Sequence, residues 1–539
     1  MTSKNIDFGA LAHQIKTTFK KFDEKRQSQL REIKVLQDKT FGNTNENISS
    51  WASDLDLPDL WEQHQTMKAH LIDIIYSHPE GLFDVEAEKF EDATSAIAHK
   101  AMLCDYFEKM NIREEIEKIV ENLILTGESI IFVGWETKTE QKRKWSEFQG
   151  DFEIVNSLLY DGPKIKNVHS QDFVFDYNRA DNWENCAKIY RTYLELSEIK
   201  AFREHKFLTP EIENELLEGV LSSKDGEEIE GFKSGLVELL EYWGDIRLED
   251  GTLLKNWLIV VAKGEHVLRF EPNPYINTPF IYANLIENPE TKRGISPLKP
   301  VLALNNVASK ILNQQLDAYS LIMNPPYLAP KGSFKGIQDV APGKIIEYDS
   351  SLLPQMPVPI NFSPALAGWD FIQYFKNCIE NTTGIYRTMG GAVGQKGHTA
   401  TELLQSANGQ NARINLIIDS INRKIILPMV KKIAQTISNF NSEEYYLEIS
   451  GKDKKEKILI DEKIKTGNFK YKYSDRKASI ERKYKYKEIA ESIVSFSKIP
   501  EFSSKINWKE CFKFTLSQLG VENVSKFLSD EGFEEITKQ

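Results

Sequence analysis

The apolar positions of this chain change period along its length, and the changes divide it into segments. Leu11, Ile15, Phe19 and Phe22 recur at helical spacing within a highly charged stretch over residues 5–40. Asn43 to Ser50 is a polar break, and Leu57 to Ser77 reads as a second helix. Phe90, Ala93, Ile97, Ala101, Cys104 and Phe107 return every three or four residues, the mark of one buried helical face. Ile112, Ile116, Ile119 and Leu123 predict another helix that stops at Gly127, followed at once by a buried strand, Ile130 to Val133.

Between residues 150 and 270 the period shortens to that of strands. β-prone runs appear at Phe152–Leu159, Lys164–Val168, Phe173–Phe175, Val237–Leu248 and Leu253–Ala262. Asp250-Gly251 between the last two predicts a hairpin turn, because both residues tolerate the left-handed backbone that a tight turn needs. Residues 196–222 interrupt these runs with helical character, and Pro272, Pro274 and Pro279 mark a connection. Helical spacing then resumes over 297–322, through Val301, Leu304, Val307, Ile311 and Leu312, and ends at Asn324-Pro325-Pro326. A Pro- and Gly-rich, β-prone excursion follows, and a second helix returns with Trp369, Ile372, Phe375 and Ile379 on one face. A glycine-rich loop, Thr388 to His398, leads into a long helix in which Pro428 should introduce a kink. Thr399 and Glu402 at its start have capping-box spacing. The pattern as a whole predicts an α+β protein.

Composition narrows the chemistry. The 539 residues carry a net charge of −12. That disfavours a general nucleic-acid binder, which needs clustered cations against phosphate. Residues 452–487 reverse the sign locally, to +8, with Tyr471, Tyr473, Tyr484 and Tyr486 among Lys and Arg. This segment reads either as a solvated basic face or as a patch facing DNA. The four cysteines, Cys104, Cys186, Cys378 and Cys511, are too widely spaced for CxxC pairs. None of the nine histidines forms an HxH or HxxxH pair, so no metal site is expected. The glycine-rich loop is not a P-loop, because Gly394 is followed by Gln395, Lys396 and Gly397 where that motif needs Gly-Lys-Ser/Thr. There is no GxSxG elbow. No cofactor and no catalytic residue is expected. The N-terminus does not read as a signal peptide. The most apolar stretch, Trp257 to Ala262, is far shorter than the ~20 residues that cross a bilayer, so no membrane partner is expected.

The most informative feature is an order: helix, β-prone excursion, returning helix, glycine-rich loop, long kinked helix. Two helices flanking an excursion can lie antiparallel with the excursion beyond one end. Short motifs accompany this order. They are Leu125-Thr126-Gly127-Glu128-Ser129, Gln171 to Asp176 followed by Ala180, Gly294-Ile295-Ser296-Pro297-Leu298, Pro342 to Tyr348, and Thr399-Ala400-Thr401-Glu402. In these motifs and their sequence the chain resembles the portal protein, the head-to-tail connector of tailed bacteriophages, and is most similar to the portals of short-tailed phages. The similarity runs over about residues 55–440.

The resemblance implies a portal fold with wing, stem, clip and crown. Residues 1–50 would be an N-terminal charged helical segment and 51–296 the wing. The two stem helices would be 297–324 and 366–385, with the clip at 325–365 between them. Residues 386–398 would be the tunnel loop, 399–440 the long kinked wing helix, and 441–539 the wing end and crown. It further implies a homo-oligomeric ring of about twelve subunits with head-to-tail contacts. The ring would sit at a capsid vertex of the virion after assembly in the host cytoplasm. Double-stranded DNA would pass through it, driven by a separate terminase and later ejected. Major capsid, scaffolding and tail adaptor proteins would be its partners.

Candidate DNA-channel residues are Arg387, Lys396 and His398 in the glycine-rich loop, and Lys310 and Lys376 on the stem helices. Candidate subunit contacts are Val301, Leu304, Ile311, Trp369, Ile372, Phe375 and Ile379. Two other readings remain open from the residues alone: a nucleic-acid-processing enzyme with a basic C-terminal domain, and a monomeric structural adaptor. In the second, the same apolar stripes would close a helical hairpin within one chain.

Overall fold

The computed structural model describes residues 6–42, 52–76, 81–88, 93–146, 151–224, 232–233, 235–330, 345–348, 358–360, 368–385, 414–441, 444–450 and 455–473. The loop at 386–398, the start of the long helix with Thr399 and Glu402, much of the clip and everything beyond residue 473 lie outside these residues. In chain order the elements begin with α1 (Phe8–Phe41), α2 (Asp59–Ile75), β1 (Phe83–Ala87), α3 (Ala93–Lys109) and α4 (Ile112–Thr126). There follow β2 (Glu128–Ser146), β3 (Asp151–Val168), β4 (Phe173–Phe175), β5 (Lys188–Leu194), α5 (Leu196–Ala201) and α6 (Pro210–Lys224). Next come β6 (Phe232–Lys233), β7 (Leu236–Arg247), β8 (Leu253–Ala262), β9 (His266–Pro272), β10 (Phe280–Asn284), β11 (Ile286–Glu287) and β12 (Gly294–Ile295). The helical hairpin is α7 (Lys299–Met323) and α8 (Gly368–Thr383), with β13 (Tyr327–Pro330), β14 (Ile345–Tyr348) and β15 (Val358–Pro359) between them. Helix α9 (residues 414–421), α10 (Leu427–Phe440), β16 (Tyr445–Ser450), β17 (Lys455–Ile460), α11 (Glu462–Thr466) and β18 (Phe469–Tyr473) are the last elements among the described residues.

The chain divides into two compact units, one of residues 1–72, 113–132 and 165–425, the other of 73–112, 133–164 and 426–539. In the first unit β4, β5, β7, β8 and β9 form a sheet in that order, with β6 added to β7. Its neighbours pair antiparallel. The Asp250-Gly251 turn joins β7 and β8 as expected, with Gly251 at φ +84° and Asp250 Oδ1 accepting the Thr252 amide at 2.8 Å. Helix α1 starts where Asp7 accepts the amides of Gly9 and Ala10. Its stripe Leu11, Ile15, Phe19 and Phe22 joins Phe173, Phe175, Leu258 and Val260 in the main core of this unit. The N-terminal helix, read from sequence as a separate segment, is therefore part of that core. Helix α4 buries Ile116, Ile119 and Leu123 and ends at Gly127, φ +79°.

In the second unit, α3 buries Met102, Leu103, Cys104 and Phe107, while Ile97 is exposed. The buried stripe of α3 is rotated from the one expected. Strands β1 and β18 pair antiparallel, as do β16 and β17. Lys164–Val168 and Phe152–Leu159, expected as two runs, are one strand of 18 residues. Pro163 lies within it; β3 is at the edge of its sheet, where a strand tolerates proline. The kink expected at Pro428 appears as a π-helical turn at Asn422–Ile426 immediately before α10. Proline lacks the amide and crowds the carbonyl four residues back, and a wider turn relieves both problems.

Candidate functional site

Three motifs scattered in the sequence meet where the chain enters α7. The Glu128 carboxylate and the Arg293 guanidinium form an ion pair at 2.9 Å with both side chains fully buried. Glu128 Oε2 also accepts from the Tyr282 hydroxyl at 3.0 Å and the Gly294 amide at 3.3 Å. Arg293 donates to the Phe173 carbonyl at 3.2 Å and lies over the rings of Phe175 and Tyr177. From α1, Arg26 donates to the same Phe173 carbonyl at 2.8 Å, to Gln171 O at 2.6 Å and to Ser170 O. Burial penalises the charge of Arg293 most, but Glu128, Tyr177 and Tyr282 together exceed that penalty and hold the guanidinium above its ordinary value. Burial draws Arg26 below its own; Asp23 opposes that drop and Arg293 adds to it.

Backbone contact completes this junction. A Cβ on Gly127 would stand 2.1 Å from the Ile295 carbonyl carbon, and one on Gly294 would stand 2.2 Å from Gly127 O. No side chain fits between these segments. Ser296 donates to Ile124 O at 2.7 Å and accepts the Leu298 amide at 3.1 Å, which sets the start of α7.

Helices α7 and α8 pack against one another. Beyond the end of α7, β13 pairs parallel with β14 and antiparallel with β15. Within the Pro342 to Tyr348 motif, Ile345–Tyr348 is the strand β14. An extended segment, residues 53–57, lies along α7. The amides of Ser53, Leu55 and Leu57 donate to Asp317 Oδ1 (2.7 Å), Asn313 Oδ1 (2.9 Å) and Ser309 Oγ (3.0 Å). Asn313 Nδ2 donates back to Leu55 O at 3.0 Å. The match is one of rise: four helical residues advance about 6.0 Å and two extended residues about 6.6 Å. A helix row at i, i+4, i+8 can thus read alternate amides of a strand. At the other end of the hairpin, Thr383 donates to Gln63 Oε1 at 2.7 Å, and Gly384 (φ +75°) turns the chain out of α8.

The sequence-derived residues divide by position. Val301, Ile372 and Ile379 are buried within the chain's own fold; Leu304, Ile311 and Phe375 are half-buried, and Trp369 is exposed. The fully buried three thus take the intramolecular role that the apolar stripes also allowed. Phe371 and Tyr374 are exposed with Trp369, as are Val307, Tyr319 and Met323 on α7. Helix periodicity puts Trp369 in the apolar stripe and Phe371 and Tyr374 beside it; the structure leaves all three exposed. Lys310 is exposed, whereas Lys376 pairs with the buried Asp59 at 3.2 Å. Arg387, Lys396 and His398 lie outside the described residues.

In the described part of the basic segment, two lysines of β18 face acidic partners. Lys472 pairs with Glu86 at 2.6 Å and Lys470 with Glu88 at 3.9 Å, across the β1–β18 ladder. Tyr471 points inward, its hydroxyl 2.9 Å from His99 Nε2, while His99 Nδ1 lies 2.6 Å from Ile464 O. Burial pushes the His99 imidazole down to about 4. Around residues 469–473 the solvated-face reading therefore describes the chain better than a DNA-facing patch. Tyr484 and Tyr486 lie outside the described residues. Among the described residues, Glu215, Glu265 and His266 form a group with metal-ligand spacing. The Lys263 ammonium already bridges both carboxylates, each at 3.1 Å.

The architecture defines a class: a mixed α+β protein whose distinctive feature is a helical hairpin carrying a small sheet, anchored by a buried polar junction. The model of the phage SU10 portal protein family matches residues 149–456, more than half of the sequence, and the chain belongs to that family. No curated protein matches it.

Proposed function

We propose that this chain is the subunit of a phage portal ring, about twelve copies closing head to tail around a hole wide enough for duplex DNA. The observation that carries this reading is the family match, which runs from the β-rich body through α7, β13–β15 and α8 to β17. Each subunit would contribute α7 and α8 as stem, the 325–365 segment as clip and residues 386–398 as tunnel loop. The wing would hold residues 51–296 and the long helix at 399–440, and the crown would follow. The exposed aromatics Trp369, Phe371 and Tyr374 suit a neighbouring subunit, since the opposite face of α8 already packs on α7.

The ring is a passive conduit rather than an enzyme. A separate terminase supplies the work of packaging, the capsid and scaffolding proteins enclose the ring, and adaptor and tail proteins attach to it before ejection. Its net negative charge keeps the bore from binding phosphate tightly, because each added phosphate contact would raise affinity and slow the passage of DNA. Arg387, Lys396, His398 and Lys310 are the cations proposed for transient contact; Lys376 is held by Asp59. Negative-stain images of purified protein should show rings with a central hole. Particles assembled without this chain should contain no DNA, and DNA-filled particles lacking it would overturn the proposal.

A further inference from the structure

In the first unit, α1 and the first two turns of α7 border a cavity of about 560 Å³. Ile33, Val35 and Leu36 of α1 and Leu302 and Ala303 of α7 give it an apolar floor, and Val35 is left 50% exposed there. The polar groups around this floor lack partners. Among the described residues, the side chains of Ser28, Thr291 and Asn306 make no hydrogen bond, and Lys25 and Arg31 meet no carboxylate. Lys299 pairs with Glu32 at 2.5 Å, so three cations of the lining face one carboxylate in a chain whose net charge is −12. The wall continues into Gly294 and Ser296, the backbone that sets the start of α7, and Gln29 of α1 donates to Gly294 O at 2.9 Å.

An apolar floor ringed by polar groups that the chain itself does not satisfy has the composition of a ligand site. From Lys25 to Leu36 the site follows α1 for about 16 Å, the span of about five extended residues. Ser28, Thr291 and Asn306 can pair with the backbone of such a segment, and the unpaired cations favour carboxylates. Nucleic acid fits less well. It would engage Lys25 and Arg31, but the aliphatic floor offers no ring on which a base can stack.

We propose that this cavity docks an acidic peptide segment of a partner protein, with one apolar side chain on the Ile33–Leu36–Leu302–Ala303 floor and its carboxylates on Lys25 and Arg31. The occupant would bear directly on the start of α7. The test titrates full-length protein into a fluorescein-labelled peptide, Glu-Asp-Glu-Leu-Phe-Glu-Asp-Glu, and follows its anisotropy. Saturable binding is expected. Lys25→Glu with Arg31→Glu should weaken it by about tenfold or more, as should Ala303→Trp, which fills the floor without changing charge. Lys34→Glu, on an exposed position of α1 outside the cavity, makes the same kind of charge change and should leave binding as it is. An unlabelled peptide with Ser in place of Leu and Phe should compete poorly. Thermal melts confirm that each variant is folded. Absence of saturable binding, equal losses in Lys34→Glu and the cavity variants, or displacement of the peptide by oligodeoxythymidine would each overturn the peptide site. The proposal concerns a single chain, so any of these results leaves the portal reading standing.

Discussion

Glu128 and Arg293 are 165 residues apart in the chain and 2.9 Å apart in space, and water reaches neither. Their pairing ties β2 to the segment that opens α7, and through Phe173 O it reaches Arg26 on α1. Breaking such a pair from one side leaves a buried charge without compensation, which costs about 3–5 kcal/mol. Glu128→Gln and Arg293→Met should each lose stability on that scale in urea titrations. The double variant should lose less than the sum of the two, because neither charge is then left alone.

Gly127 and Gly294 are predicted to be intolerant even of alanine. A Cβ at either position overlaps backbone of the other segment. Gly127→Ala should yield insoluble or extensively destabilised protein. Gly251→Ala is the control: its φ is +84° but nothing stands within 4 Å, so it should cost only ~1 kcal/mol of backbone strain. Equal solubility of the two variants would contradict the packing described here.

The pH dependence of the second unit should carry a contribution from His99. Its folded value is about 4, below the ordinary 6.5. As pH falls from 6.5 toward 4 the unfolded chain takes up a proton that the folded chain refuses, so stability falls, and the loss is complete below about 4. The ceiling is about 3 kcal/mol. His99→Asn, which cannot titrate, should flatten this part of the stability–pH curve measured by thermal melts. A wild-type curve that rises on acidification over the same range would refute the assignment.

The 53–57 segment on α7 should be held chiefly by its hydrogen bonds. Asn313→Leu removes both bonds to Leu55 and should cost about 1–3 kcal/mol. Hydrogen exchange should report it locally, with faster exchange of the Leu55 amide and little change in β7 and β8.

Ile379 and Trp369 should respond in opposite ways. Ile379→Ala opens a cavity in the chain's own core and should cost about 2–5 kcal/mol in the isolated chain. Trp369→Ser is a surface change and should stay within about 0.5 kcal/mol while weakening assembly. Sedimentation velocity beside thermal melts separates the two effects.

Local pattern determined a good deal of this protein. The period of apolar positions was sufficient for α1, α4, α7, α8 and the β7–β8 hairpin, because each buries one face and the period records it. Pro428 foretold the break before α10 for a reason confined to its own ring. The helix–excursion–helix order, with its short motifs, was enough for the family, since motif order survives in one dimension. The tertiary structure alone decided which residues meet. Nothing local in Leu125–Ser129 or Gly294–Leu298 says that their glycines touch or that Glu128 neutralises Arg293. It also decided that Lys376 answers to Asp59, that Lys470 and Lys472 face an acidic strand, and that Val301 and Ile379 face their own chain while Trp369 faces outward. Burial and charge pairing depend on what lies across a gap in space, and a linear pattern holds only one side of that gap.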